Sequence, residues 1–441
     1  MNHLKLNETS RRGFLATTAK SCFGLTIGGA AAQFFNQQSY ADQGVIDPAV
    51  LAAGGGKAKS VIYLYMSGGM THLDTFDPKP DAGSDIKGDC RAINTNVDGI
   101  QLGHCLPKLA QQMDKVALIR SMTTTQGAHA QGKYYMRTGY AQRSSIVHPS
   151  PGAWINRLSG KKTGDLPSFV TVNCGSGHPG AGFMEAQHAP LPLGDASSGL
   201  HNSKRRGVSE GAFDQQLALR QQLDAEFDAH YTKGQKKVRD YNESFDAAVK
   251  LMKSKDLEAF DLSQEGKDVH ALYGADRFSK GLLLARRLVE RNVRFIEVEY
   301  GGFDWHADNF GSMEEKIPVL DQALAALLKD LELKGLLDST LVVLGTEFGR
   351  SPKVNNNAGR NHYPKAFSCM MAGGGIKGGQ AYGSTDATGA SVTKDKVIAP
   401  HFNATIAHAL GLPHDKIIYS ASKRPFRMGG REGKPLTKLF S

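Results

Sequence analysis

No stretch of this sequence stays apolar for the roughly 20 residues that a membrane-crossing helix requires, so a stable transmembrane span is not expected. Cysteine is scarce: there are five in 441 residues, none in CxxC spacing. That argues against zinc knuckles, cysteine-held iron–sulfur clusters and CxxCH haem attachment. The densest glycine run, Gly373 to Gly379, lacks the Lys-Ser/Thr ending of a phosphate cradle and reads as a tight loop. No dinucleotide fingerprint is read in the chain, so a redox role ranks last. No repeat of roughly 20 to 50 residues points to a solenoid or propeller. Acidic residues are in deficit, 43 against 53 basic, for a net charge of +10. The excess is dispersed, and its one tight cluster, Lys204-Arg205-Arg206, reads as a solvated loop. This balance suits an acidic substrate or envelope surface and gives no ground for nucleic-acid binding.

What is present begins with Ser10-Arg11-Arg12-Gly13-Phe14-Leu15, a weakly apolar stretch from Phe23 to Phe35, and Ser39-Tyr40-Ala41. Paired arginines, a mild hydrophobic region and small residues at a cleavage point fit a twin-arginine export signal over residues 1–41. The expected partner is the twin-arginine translocase, and the expected location is the periplasm or cell surface. Residues 42–441 would form the mature domain, with a net charge of +7 once the signal's +3 is removed. Cys22 leaves with the signal. The remaining four cysteines could pair in three ways, Cys90 with Cys105 being closest in sequence. A chain that folds in a reducing cytoplasm would carry any disulfide as an addition to a fold already made.

Val61 to Met66 is a continuous apolar run ending in Ser67-Gly68-Gly69, the pattern of a buried strand entering a turn. Similar runs occur at Val116 to Arg120, Phe169 to Val172, Val293 to Glu299, Thr340 to Gly345 and Ala366 to Met371. Helical spacing covers Phe278 to Arg291 and Ile317 to Leu337. Strands alternating with helices predict an α/β fold with a mainly parallel sheet covered on both faces. The charged segment around residues 208–270, nearly free of Gly and Pro, reads as a helical insertion. Its expected apolar stripes are Leu217, Leu223 and Phe227, then Tyr241, Phe245, Val249 and Met252.

Sites in open α/β sheets lie beyond the carboxyl ends of strands, and here those ends are rich in polar groups. After the first strand come His72 and Asp74; after the Val293 strand, Asp304 and His306; after the Thr340 strand, Glu347, Arg350, Arg360 and His362; and after Arg120, Thr123 to Thr125 and His129. Residues two apart in extended chain share a face, so His72 with Asp74, and Asp304 with His306, can each present an imidazole and a carboxylate together. Mixed nitrogen and oxygen donors suit zinc, manganese or iron.

The motifs Ser67-Gly68-Gly69-Met70-Thr71-His72-Leu73-Asp74-Thr75-Phe76-Asp77-Pro78-Lys79-Pro80, Gly302-Phe303-Asp304-Trp305-His306 and Thr346-Glu347-Phe348-Gly349-Arg350-Ser351-Pro352 resemble the exported bacterial family numbered 1501 among domains of unknown function. The resemblance spans essentially the whole mature chain. That family is similar to the alkaline phosphatase and sulfatase superfamily. The resemblance implies a three-layer α/β/α sandwich that hydrolyses phosphate or sulfate esters with divalent metal, zinc or manganese first and calcium or magnesium as alternatives. Its metal motifs fall on Asp304 with His306, on Glu347 where a carboxylate survives and the following imidazole is replaced by Phe348, and on His362. The aspartate expected directly after the first strand is missing, and His72 and Asp74 are the nearest substitutes.

Where the superfamily places a nucleophile, this chain offers Thr123 to Thr125 and His129. Attack by Thr125, by His129, or by metal-activated water all remain open, with His129 alternatively a ligand or an acid. Arg350 and Arg360 either bind the oxygens of an anionic ester or pair with local acceptors. Trp305 either packs or stacks on substrate. The expected function is hydrolysis of an anionic small-molecule or polysaccharide ester. The alternative is a noncatalytic envelope protein of the same fold that binds an acidic polysaccharide or another exported protein.

Overall fold

The computed structural model describes residues 54–160, 164–201, 203, 207–227 and 236–440. The twin-arginine segment, Cys22 and the Lys204-Arg205-Arg206 cluster lie outside the described residues.

Eight strands form one sheet: β1 (Ser60–Ser67), β2 (Val116–Met122), β3 (Phe169–Val172), β4 (Leu191–Leu193), β5 (Phe295–Gly301), β6 (Thr340–Gly345), β7 (Phe367–Ala372) and β8 (Gln380–Tyr382). Their spatial order is β8-β2-β7-β6-β1-β5-β3-β4. β7 runs antiparallel to β2 and β6, and every other neighbouring pair is parallel. The six strands expected from apolar runs are all present. β4 and β8 were not expected; at three residues each they are too short to carry a readable period.

β1 is buried along its whole length, and its alternate residues feed two cores. Ile62, Leu64 and Met66 point into one, with α5 (Arg277–Glu290) and α6 (Asn309–Leu333). Val61, Tyr63 and Tyr65 point into the other, with α1 (His129–Thr138), α2 (Pro151–Leu158) and α7 (Ala399–Ala409). That is the three-layer α/β/α sandwich, and burial on both faces explains why the strands read as continuous apolar runs. α6 begins eight residues before its expected start and contains Pro318. Asp308 caps it by accepting from the Gly311 amide at 3.3 Å.

The helical insertion is α3 (Glu210–Phe227) and α4 (Lys236–Lys253). α4 buries Ala248 and Leu251 and packs against the segments 186–188 and 255–260. The stripe expected on α3 does not face the core: Leu223 is 50% exposed and Phe227 36%. α3 meets α4 through the Arg220 guanidinium, 3.3 Å from the Phe245 ring centre, and through Lys253, 2.6 Å from Asp214.

A buried ionic network pins α1 to the sheet. Arg137, near the end of α1, donates from Nε to Glu297 at 2.7 Å and from Nη2 to Glu299 at 2.7 Å. His178 adds a 3.0 Å contact to Glu297, and the Arg137 guanidinium lies 3.9 Å from the Tyr65 ring centre. Burial pushes the Glu297 carboxyl up, but Arg137 and His178 outweigh it and hold it at about 2. A depressed folded-state pKa contributes stability above the unfolded value and loses it as pH falls through the folded one. The loss from Glu297 is therefore expected between its ordinary 4.5 and about 2. Arg137→Met strands a buried carboxylate and is expected to cost about 3–5 kcal/mol, measured by urea unfolding at pH 7. A cost below about 1 kcal/mol would show that the network does not hold α1.

Candidate metal centre

The loops after β1, β2, β5 and β6, with the residues entering the antiparallel β7, all reach the same edge of the sheet. They are drawn together by backbone contacts. Phe303 donates its amide to the Ser67 carbonyl at 3.2 Å, so the β1 and β5 loops touch. Gly68, at φ +122°, sits where an added Cβ would lie 2.6 Å from the Phe303 nitrogen. Only glycine permits both that conformation and that approach. Its own amide donates to Glu347 Oε1 at 2.8 Å, fixing the carboxylate that follows β6.

Asp304 is the focus of the edge. Its Oδ1 lies 3.0 Å from His306 Nε2 and 3.3 Å from His362 Nε2, and its Oδ2 lies 3.1 Å from His129 Nε2. His306 Nε2 and His362 Nε2 are themselves 3.0 Å apart. Candidate ligand atoms of His129, Asp304 and His362 all lie within 4.8 Å of one another. The far side of each ring is engaged elsewhere: His129 Nδ1 with Glu347 Oε1 at 2.8 Å, His362 Nδ1 with the Gly127 carbonyl at 2.9 Å, and His306 Nδ1 with Asn361 Oδ1 at 3.4 Å. A carbonyl or carboxylate only accepts, so Nδ1 of His129 and of His362 carries the proton. In the neutral rings the Nε2 lone pairs then face inward. This is how metal-ligating imidazoles are oriented, with the outer nitrogen donating to an acceptor.

Two features fit a cation at the focus. His129 Nε2 is a buried nitrogen without a hydrogen-bond partner. It is close enough to Asp304 for an ion pair, but its ring is not aligned to donate. The facing Nε2 atoms of His306 and His362, if both unprotonated, bring two lone pairs together at 3.0 Å, which a shared cation or a trapped proton would relieve. Three imidazoles and one carboxylate match the donor preference of zinc, with manganese or iron also compatible.

The electrostatics divide the group. Burial raises the Asp304 carboxyl, but hydrogen bonding and charge from Arg350, then His129 and His306, overcome this and lower it to about 2. Asp304 is a carboxylate at any physiological pH. His129 is shifted up by its hydrogen bond to Glu347, against burial, whereas burial shifts His362 down. Without a cation, His129 holds a proton better than His362 does.

The other sequence candidates serve as scaffold. Both oxygens of Asp74 accept from Arg360, Nε and Nη2 at 2.8 Å each, and Asp74 also accepts from Thr71 and Asn309 at 2.9 Å. Asp74 and Arg360 are fully buried, and Arg360 also donates to the carbonyls of Ile86, Ser351 and Pro352. Asp74 therefore does not join the metal group, and Arg360 pairs internally and does not face an anion. His72, 1% exposed, places Nε2 2.9 Å from the Gly389 carbonyl, away from the focus. Arg350, also 1% exposed, donates to the carbonyls of Gly68, Gly69 and Arg360 and to Asp304 Oδ1. It positions the carboxylate. Thr125 is exposed, and its hydroxyl accepts from Gln126 Nε2 at 2.9 Å. Trp305 packs on Phe303 within the core. Asn361, Asn309 and the Gly127 carbonyl were not foreseen; they support other side chains, and no spacing in the sequence marks them.

Metal must displace the proton that Glu347 favours on His129, so zinc affinity measured by calorimetry is expected to weaken as pH falls through the raised His129 pKa. Glu347→Gln should move that fall to lower pH. Affinity unchanged from pH 8 to pH 6 in the unaltered protein would remove His129 from the centre. In the metal-free protein the sign reverses. A raised folded-state pKa lends stability below the unfolded value and loses it as pH rises through the folded one.

No curated protein matches this sequence significantly. Solved structures similar to the chain include Ps i-CgsB, determined in complex with k-i-k-neocarrahexaose, at 12% identity over 80% of this chain and 72% of that one, with a TM-score of 0.38. PsFucS1 sulfatase from Pseudoalteromonas sp. is 12% identical over 88% of this chain and 78% of that one, with a TM-score of 0.38. The alkaline phosphatase of the Antarctic bacterium TAB5 is 11% identical over 74% of this chain and 95% of that one, with a TM-score of 0.30. The family model described as protein of unknown function (DUF1501) matches residues 58–440, almost everything the structure describes, and the chain belongs to that family.

Proposed function

We propose that this protein is a metal-dependent hydrolase of anionic esters, phosphate or sulfate, acting outside the cytoplasm. The observation that carries the reading is the convergence of His129 Nε2, His306 Nε2 and His362 Nε2 on the two oxygens of Asp304. His129, Asp304 and His362 would hold the cation, with His306 completing the set from the exposed side. A bound divalent ion there would supply Lewis acidity, polarising an ester oxygen and acidifying water.

The chain's own groups supply the rest. Arg350 keeps Asp304 ionised and directed at the focus. Glu347 orients His129 and accepts its Nδ1 hydrogen. His306, 49% exposed at its side chain, is the imidazole an incoming ester meets first. The net charge of +7 left once the signal's +3 is removed favours anionic ligands. Export by the twin-arginine route, to the periplasm or cell surface, rests on Ser10 to Leu15 and Ser39 to Ala41. A signal that carries folded cargo also suits a centre assembled before translocation.

A second reading has one observation behind it. Arg350 already neutralises Asp304, so the cluster balances charge without a cation, as a noncatalytic binding site would. A panel of phosphate and sulfate esters assayed with zinc, manganese, magnesium and calcium separates the two. Hydrolysis that requires one of these ions, reduced about 100-fold or more in Asp304→Ala, is expected. His306→Ala should weaken metal binding by about 10-fold or more. Metal-loaded protein that turns over no ester would support the binding reading, and equal rates in wild type and Asp304→Ala would remove Asp304 from the site.

A further inference from the structure

Of the three imidazoles that face Asp304, His306 alone is backed by a side-chain amide. His129 Nδ1 meets a carboxylate and His362 Nδ1 a backbone carbonyl, and both of these only accept. His306 Nδ1 lies 3.4 Å from Asn361 Oδ1, and an amide offers an acceptor or a donor according to how it is turned. Which ring nitrogen of His306 carries the hydrogen therefore depends on what fixes Asn361.

Asn355 fixes it. The Asn355 Oδ1 accepts from the amides of Asn357 at 2.9 Å and Gly359 at 3.0 Å. Backbone amides only donate, so this end of the side chain must be the oxygen. The other end is Nδ2, which donates to the His306 carbonyl at 2.9 Å and to Asn361 Oδ1 at 3.3 Å. An NH2 group cannot accept, so Asn361 turns its oxygen toward it. The same oxygen meets His306 Nδ1, which must then donate. In the neutral ring the hydrogen sits on Nδ1, and Nε2 turns a lone pair inward.

Backbone contacts hold this relay in place. The Arg360 amide donates to the Trp305 carbonyl at 2.9 Å, the Asp308 amide to the Asn357 carbonyl at 3.0 Å and the Asn309 amide to the Ala358 carbonyl at 2.9 Å. A Cβ on Gly359 would lie 2.0 Å from the His306 carbonyl oxygen, an approach that only glycine allows. Asn361 is pinned by Ser351, whose amide donates to its carbonyl at 2.8 Å and whose hydroxyl accepts from its amide at 3.0 Å.

We propose that Asn355 and Asn361 are positioning residues that keep His306 as its Nδ1–H tautomer, leaving Nε2 to bind the cation. The inference rests on the proposed metal centre and supplies what makes its most exposed imidazole a ligand. Without the pair, the hydrogen is drawn to Nε2, where Asp304 Oδ1 and His362 Nε2 each lie 3.0 Å away. It would have to leave before that nitrogen could coordinate.

The test is zinc affinity of the full chain, measured by titration calorimetry at pH 8. Asn361→Leu keeps the side chain's size and removes the acceptor, so it should weaken zinc about 10-fold or more. Asn361→Asp keeps an acceptor and should bind zinc at least as tightly as the wild type. Added to His306→Ala, Asn361→Leu should change affinity by no more than about twofold, because the ring through which it acts is gone. Asn355→Asp retains an oxygen for the Asn357 and Gly359 amides but replaces the Nδ2 donor with an acceptor. Asn361 then turns its NH2 inward, and zinc binding should weaken although a negative charge has been added; a role in charge alone would strengthen it. Wild-type affinity in Asn361→Leu, an equal loss in Asn361→Asp, or a loss undiminished in the His306→Ala background would overturn the inference and leave the metal centre standing. Wild-type protein that takes up no zinc would remove both.

Discussion

The edge of the sheet depends on one buried guanidinium. Arg350 reaches the carbonyls of Gly68 and Gly69 after β1, the carbonyl of Arg360 before β7, and the carboxylate of Asp304 after β5. Three loops, after β1, after β5 and between β6 and β7, are thereby held to one cation. Arginine suits this because its planar fork satisfies several acceptors at fixed angles and stays charged when buried. A lysine at the same position would offer one point charge and could not span β1 and β5 together.

Acidic residues along this edge do two kinds of work, separated by depth. Asp74 and Glu297 are fully buried and each is matched by an arginine, Arg360 or Arg137. Their charges are spent on holding loop to loop and helix to sheet. Asp304 has a side chain 43% exposed, and only one of its oxygens is taken by Arg350. Its other oxygen faces His129, and solvent and ligands can reach the group. Glu347 stands between these cases: it is buried, accepts from Gly68 and from His129, and so couples the first strand's turn to the imidazole that faces Asp304 Oδ2.

Much of the fold was legible because burial on both faces leaves an unbroken apolar signature. Val61 to Met66 and Thr340 to Gly345 are strands largely as their composition implies. β4 and β8 escaped notice because three residues at a sheet edge carry no period. α3 misled because Leu223 and Phe227 are apolar at helical spacing yet lie toward solvent. In the candidate site, strand-end position brought Asp304, His306, Glu347, His362 and His129 into view. Spacing could not tell them from His72 and Asp74, which have the same residue types two apart. What separates the pairs is a long-range partner, Arg360 for Asp74 and the Gly389 carbonyl for His72, and such partners are set by tertiary packing alone. The Arg137 network did leave a trace in Phe295 to Gly301, where Glu297 and Glu299 alternate within an apolar strand. Two acids on one buried face require a buried cation.

On the proposed reading, three imidazoles and one carboxylate, from loops far apart in sequence, bind one cation. X-ray absorption spectroscopy of the zinc-loaded protein reads this directly. The expected result is one zinc per chain, a first shell of nitrogen and oxygen at about 2.0–2.1 Å, and outer-shell scattering from three imidazoles that falls to two in His362→Ala. An all-oxygen shell, or imidazole scattering unchanged by that substitution, would contradict it.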